Sequence, residues 1–172
     1  MRILFLHSSS DMYGASKILL ITLQMLKKNG HKPLVVLSED GLLSRALKKE
    51  YIEVRFIKLG IIRRKYFNFK GLINRVRTLW IAKNQLTELC IQENIDLIYS
   101  NTAAVIVGGW VARKCRLKHV FHIHEIIQSP SWFAFLIHKM IARNAVHVIA
   151  VSRAVKDHLS TFIPQHKISV IY

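Results

Sequence analysis

Cysteine, proline and acidic residues are scarce in this chain: two Cys, three Pro and ten Asp+Glu in 172 residues. Cys90 and Cys115 are far apart, without a CxxC pair or a metal-ligand spacing, so a disulfide scaffold and a cysteine metal centre are both excluded. Both lie in apolar helical patterns and read as buried, reduced thiols of a cytoplasmic protein. No apolar stretch approaches the ~18 residues a membrane-crossing helix needs; the longest clean run is 103–112. The apolar run at the N-terminus has only Ile3 to Leu6 before His7, too short for the core of a signal peptide. There is no Walker motif, no GxGxxG fingerprint and no GxSxG elbow, and acids are too sparse to support a catalytic triad.

Against those absences stand 26 Lys+Arg, a net charge of +16 and an apolar share of 51%. The apolar share excludes general disorder and favours a sheet buried on both faces. The charge predicts a polyanionic partner, whether nucleic acid, anionic lipid or a phosphorylated ligand.

Apolar runs of strand length alternate with helical periodicity from end to end. Helices are expected over residues 13–29, 42–49, 72–94, 103–115, 132–144 and 153–161. Strands are expected over 2–6, 34–37, 54–59, 95–100, 120–124, 146–151 and from 168 onward. In the long helix Val76, Leu79, Trp80 and Leu86 fall on the apolar stripe, and Asn101-Thr102 stand where a cap for the next helix would be. Such alternation predicts an α/β fold: a doubly wound, Rossmann-like, mostly parallel sheet of about seven strands with helices on both faces. Ligands of such sheets bind beyond the carboxyl ends of the strands. That edge collects the residues after His7, Ser100, His124 and Val151.

Four stretches carry candidate chemistry. The Ser-rich loop 7–12 leads into Tyr13-Gly14-Ala15-Ser16 at a helix start, with Lys17 one turn in. Its backbone N–H groups and helix dipole favour an anion, although Gly14 could equally serve close helix–sheet contact. His122 and His124 share one strand face with Glu125 at the exit, but a third ligand at metal spacing is missing, so no metal is expected. A packed His122 and a ligand-contacting His124 are the commoner arrangement. Arg63, Arg64, Lys65, Tyr66, Phe67, Phe69 and Lys70 mix cations with aromatics. That mixture suits an anionic membrane surface, stacked bases, or a solvated helix face with its rings in the core. No RNP, KH or helix-turn-helix pattern accompanies it, so no nucleic-acid partner is expected. Ser152 reads as a helix cap at the ligand edge.

Taken in order, these pieces resemble glycosyltransferase family 4 of the GT-B fold. The strand Arg2-Ile-Leu-Phe-Leu6 and Tyr13-Gly-Ala-Ser16 are similar to its opening, and Asn29-Gly-His31 to its turn before the second strand. Asp96-Leu-Ile-Tyr-Ser-Asn-Thr102, His122-Ile-His124-Glu125 and Ile149-Ala-Val-Ser152-Arg153 resemble later signatures. Ile168-Ser-Val-Ile-Tyr172 stops just before that signature's Asn-Gly. The chain departs where many members have Gly-Gly for Tyr13-Gly14 and Asp for Glu125.

The resemblance implies the N-terminal, acceptor-side domain of a two-domain retaining enzyme in cell-surface polysaccharide or glycolipid synthesis. Its expected location is cytoplasmic, at the inner face of the plasma membrane. A nucleotide-sugar donor, a glycan or lipid-linked acceptor, the protein's own C-terminal domain and an anionic membrane surface are the implied partners. No cofactor is implied. Tyr13, Gly14 and Ala15 would meet the donor diphosphate. His124 would act at the transferred sugar, with Ser9, Asn101, Thr102, Glu125 and Ser152 lining the acceptor side. The E-x7-E motif of such enzymes belongs to the C-terminal domain, so residues 1–172 alone are expected to be inactive. A nucleotide-sugar 2-epimerase half, and a basic nucleic-acid-binding module, are the alternatives.

Overall fold

The computed structural model describes residues 1–61 and 69–171, with side chains left out for 69–73. Seven strands form one sheet: β1 (Arg2–Leu6), β2 (Lys32–Leu37), β3 (Glu53–Phe56), β4 (Leu97–Ser100), β5 (Lys118–Ile123), β6 (His147–Ala150) and β7 (Ile168–Val170). Their order is β3-β2-β1-β4-β5-β6-β7, and every neighbouring pair is parallel. Six helices connect them: α1 (Gly14–Lys28), α2 (Leu42–Lys49), α3 (Phe69–Gln92), α4 (Val107–Cys115), α5 (Ser131–Asn144) and α6 (Arg153–Ser160).

The handedness of parallel crossovers decides which face each helix takes. The chain first winds outward from β1 to β3, so α1 and α2 fall on one face. α3 then carries it back past β1 to β4, and winding the other way puts α3 to α6 on the opposite face. Two apolar layers follow. On one face Phe5, Val35 and Leu37 pack under Leu19 and Leu23 of α1 and Leu43 and Leu47 of α2. On the other, Leu4, Leu6, Phe121 and Val148 pack under Leu86 of α3, Val111 of α4, Ile141 of α5 and Leu159 of α6. Each such side chain is fully buried and stabilises the fold by roughly 1.5–3 kcal/mol. α4 lies close to the sheet because Gly108 has no side chain; a Cβ there would sit 2.6 Å from Ser100 Oγ and 2.8 Å from Leu6 Cδ1. α1 covers only part of its face, and Tyr99, Val120, His122 and Ile149 line an apolar hollow of about 410 Å³ beside it.

Several sequence expectations shift. α4 starts at Val107, not at 103, and Asn101 and Thr102 do not cap it, because their side chains turn inward to other partners. β3 ends at Phe56 where a strand to 59 was expected, and α3 begins at Phe69 instead of 72. Val76 and Trp80, placed on the apolar stripe of the long helix, are 61% and 65% exposed. Leu79 and Leu86 of that stripe do pack on the sheet, together with Ala82 and Cys90. No helix among the described residues is long and apolar enough to cross a membrane.

At the edge holding the strand starts, Arg2 is paired to Glu53 (2.5 Å) and Glu93 (2.6 Å), and its backbone N–H donates to Asp96 Oδ2 (2.7 Å). This ties β1 to β3 and to the end of α3.

Four histidines are buried: His7, His119, His122 and His138. Burial, the leading cause for each, lowers their pKa to about 4, 3, 4 and 4, from an ordinary 6.5. Each therefore contributes stability that is complete above the unfolded pKa and is lost as pH falls towards the folded one. The slope is at most about 1.4 kcal/mol per pH unit per histidine. Urea midpoints should be nearly flat above pH 7 and fall steeply between about 6.5 and 4. A flat profile through that window would refute the assignment.

Candidate functional site

Winding reverses between β1 and β4, and the crevice this leaves lies at the carboxyl ends of the strands. Three strand tips meet there. His7 follows β1, Asn101 follows β4 and His124 follows β5. Across them stands the start of α1, where Tyr13 is the extended N-cap and its side chain makes no capping hydrogen bond.

Asn101 is fully buried and joins all four elements. Its Nδ2 donates to the Ala15 carbonyl and to His7 Nδ1, both at 3.2 Å. Ala15 O can only accept, so the amide orientation follows, and Oδ1 accepts from His124 Nε2–H at 3.2 Å. His7 then carries its proton on Nε2, which donates to Ser16 Oγ at 3.0 Å. Burial, and secondarily the nearby His124, holds His7 neutral with a pKa of about 4. His124 is also pushed down by burial, partly opposed by Glu125. With Nε2–H committed to Asn101, Nδ1 of His124 is left as a hydrogen-bond acceptor.

Glu125 is held from three sides. Thr102 Oγ1 and the Ala103 N–H (2.9 Å) donate to Oε1, and the His124 N–H donates to Oε2 (3.1 Å). This carboxylate braces the loops after β4 and β5. His122 is buried beneath His124, with ring centroids 4.3 Å apart, and its Nδ1 accepts from the Tyr99 hydroxyl at 2.8 Å. The two histidines thus share a face but differ in access. No cluster of three or more His, Cys, Asp or Glu among the described residues has the geometry to hold a metal ion.

At the start of α1, Ser16 and Lys17 N–H groups both bond back to Tyr13 O. The Gly14 and Ala15 N–H groups make no hydrogen bond among the described residues and stand at the positive end of the helix dipole. A Cβ on Gly14 would meet nothing within 4 Å, so the space above it is open. Lys17 is exposed one turn on. This cradle and His124 are connected through one side chain, Asn101.

The other expected residues are more scattered. Ser9 Oγ accepts from the Asp11 N–H (3.2 Å) within the β1–α1 loop, and Ser152 caps α6 by accepting from the Val155 N–H (3.3 Å). Tyr13 is 71% exposed, so it meets the crevice through its backbone. Arg63, Arg64, Lys65, Tyr66 and Phe67 lie outside the described residues, as do the side chains of Phe69 and Lys70 in the first turn of α3. Sequence reasoning missed a polar hollow of about 460 Å³ beside the β1 tip, lined by Ser8, Glu39, Lys58, Asn74, Arg75 and Thr78. Its residues come from three loops and a helix, and their only sequence signal was a turn at 38–41 and one basic run.

Residues 12–172 match the family model described as Glycosyltransferase Family 4. No curated protein sequence matches the chain. Among solved structures, that of Anabaena Alr3699/HepE in complex with UDP is 25% identical, with a TM-score of 0.74, covering 100% of this chain and 44% of that one. HepE in complex with UDP-glucose superposes with a TM-score of 0.78 at 24% identity, over 100% of this chain and 43% of that one. A glycosyltransferase from Rickettsia africae is 23% identical, with a TM-score of 0.71, over 99% of this chain and 42% of its own. The chain therefore spans less than half the length of these proteins. Its fold is Rossmann-like and matches one half of these GT-B structures.

Asn101→Asp tests the network. A carboxylate between the two rings stabilises their charged forms, so the pKa of His7 rises from about 4 and that of His124 rises with it. Imidazole nitrogen shifts followed by NMR against pH should show both movements; unmoved rings would mean that Asn101 does not bridge them.

Proposed function

Because the chain belongs to glycosyltransferase family 4, we propose that it is the acceptor-side domain of an enzyme that moves a sugar from a nucleoside-diphosphate sugar to a hydroxyl acceptor. The observation that carries this reading is the open N–H pair of Gly14 and Ala15, joined through Asn101 to His124. Two N–H groups on a helix start suit a diphosphate, which they meet without a metal ion. A neutral imidazole beside them, with Nδ1 as acceptor, suits a sugar or acceptor hydroxyl whose proton it orients. HepE, one of the most similar structures, was crystallised with UDP and with UDP-glucose.

In this reading the polar hollow beside β1 takes the acceptor, a glycan or a lipid-linked one, and Ser9, Thr102, Glu125 and Ser152 shape the other loops of the ligand edge. The nucleotide is held by a second domain facing this edge, as the coverage of less than half of HepE supports. Retention of anomeric configuration and a place in cell-surface polysaccharide or glycolipid synthesis come from the family resemblance. The location at the inner face of the plasma membrane is part of the same reading.

Residues 1–172 alone should bind UDP-glucose weakly and transfer nothing; enzyme-like turnover by this chain would refute the division of the site. In an NMR titration with UDP-glucose, the Gly14, Ala15 and His124 amides should shift first. Gly14→Ala should leave stability within about 0.5 kcal/mol, since its Cβ meets nothing in the protein. The same methyl occupies the anion's space and should weaken binding about tenfold or more, a loss on the order of 1.4 kcal/mol. Shifts confined to other surfaces, or unchanged affinity in Gly14→Ala, would overturn the proposal.

A further inference from the structure

The chain has two thiols, and the fold brings them together. Cys90 lies near the end of α3 and Cys115 is the last residue of α4. α4 packs against α3, and the Cys115 thiol is a hydrogen-bond partner of the Cys90 thiol. Both cysteines are free. From the sequence they read as unrelated buried thiols on two apolar helical patterns; in the structure they form a pair. α3 leads into β4 and α4 into β5, so the pair sits at the edge where strands start, away from the crevice at the strand tips. Alanine or leucine would make such a helix contact as well, and what two touching thiols add is their chemistry.

The two differ in access. Cys90 is 4% exposed and belongs to the core layer with Leu86 and Ile95. Burial, and after it the neighbouring Cys115, pushes the Cys90 thiol up to about 12. It therefore stays protonated and is a poor attacking group towards a reagent in solution. Cys115 is only half-buried and lies at the surface end of the pair. Exposed Arg113 and Lys114 precede it in the last turn of α4, and exposed Arg116 follows as the C-cap. α4 itself contains no acidic residue. Such a surface draws anionic reagents to the thiol that can be reached. An accessible thiol in contact with a buried one is the arrangement of an attacking and a resolving cysteine.

We propose that Cys90 and Cys115 are a redox pair, which an anionic low-molecular-weight disulfide oxidises to one intramolecular disulfide that pins α3 to α4. Cys115 attacks as its thiolate. The S–S bond of the small disulfide breaks, one half leaves as a thiol and the other half stays on the Cys115 sulfur. Cys90 then attacks that sulfur, the protein disulfide forms, and the second half leaves with the Cys90 proton. Two protein thiols are oxidised and one small disulfide is reduced to two thiols, which carry off both protons. Contact between the two side chains gives the second step a high effective concentration, which offsets the poor ionisation of Cys90. α3 also supplies Asn74 and Thr78 to the polar hollow beside β1, so the bond fixes the helix on which that wall is built. A role in sugar transfer would rest on the proposed use of the hollow; the bond itself rests only on the thiol pair.

The test uses the 172-residue chain and oxidised glutathione, followed by unfolding, maleimide labelling and intact-mass measurement. The oxidised chain should have lost two hydrogen atoms, carry no glutathione and take up no maleimide, and a tryptic digest should join the Cys90 and Cys115 peptides. Dithiothreitol should restore both labels. The oxidised form should melt about 5–10 °C higher, because the bond closes a loop in the unfolded chain. Cys90→Ala should stop with one glutathione on Cys115, and Cys115→Ala should leave Cys90 unreacted in the folded chain. The mass of the unaltered chain decides the main point even where a variant fails to fold. An unaltered chain that stays reduced, stops at the mixed disulfide or cross-links to a second copy would overturn the proposal. So would an oxidised form that melts no higher, or a Cys90 that reacts in folded Cys115→Ala as fast as Cys115 does in Cys90→Ala. No sugar donor is present, so failure here leaves the transferase reading untouched, and failure of UDP-glucose binding leaves this one untouched.

Discussion

One buried primary amide fixes the geometry at the sheet's ligand edge. Asn101 uses both of its N–H groups and its carbonyl oxygen, and its partners come from the tip of β1, the start of α1 and the tip of β5. Each bond contributes on the order of 1 kcal/mol net, but an unpaired partner at this depth costs about 1–3 kcal/mol. The arrangement is therefore all-or-none. His7 is neutral because it is buried, its proton sits on Nε2 because Asn101 occupies Nδ1, and Ser16 Oγ of α1 accepts the hydrogen bond from that N–H. The position of the helix start relative to His124 follows from these bonds and from the sheet, with no contribution from a ligand.

The carboxylates of the sheet's two edges are tied up differently. Three of the ten acidic residues, Glu53, Glu93 and Asp96, are drawn to the opposite edge by Arg2. Glu125 shares the strand-tip edge with Asp11, Glu39 and Asp40, and it already accepts from Thr102 and from two backbone N–H groups. A negative charge so occupied projects little repulsion towards the Gly14 and Ala15 N–H groups. A phosphate approaching that helix start meets free donors and a dipole, with Lys17 near by.

The alternation of strands and helices, their number and the parallel arrangement were legible because both periodicities are local properties of the chain. So was the collection of His7, Asn101, His124 and Ser152 at one edge, since it follows from topology alone. The bridging amide was not. His7 and Asn101 are 94 residues apart, and either could have capped a helix or faced solvent. Local reasoning gave Asn101 and Thr102 a capping role, and the competing partners across the sheet won because they are buried. The stripe of α3 was legible only in part: Leu79 and Leu86 pack on the sheet, but two of its residues do not. Val76 and Trp80 are apolar at the right spacing, so the pattern could not tell a face that packs on the sheet from one that stays exposed.

Among the described residues, two apolar surfaces differ in the charge around them. The hollow beside α1 is lined by Ile3, Phe5, Leu97 and Val120, with His122 and His147 as its ionisable neighbours besides Tyr99, and no lysine or arginine borders it. The face of α3, α4 and α5 carries cations on every helix. The total charge of +16 gives only the sign of a partner, whereas the placement of the cations shows which apolar surface they accompany.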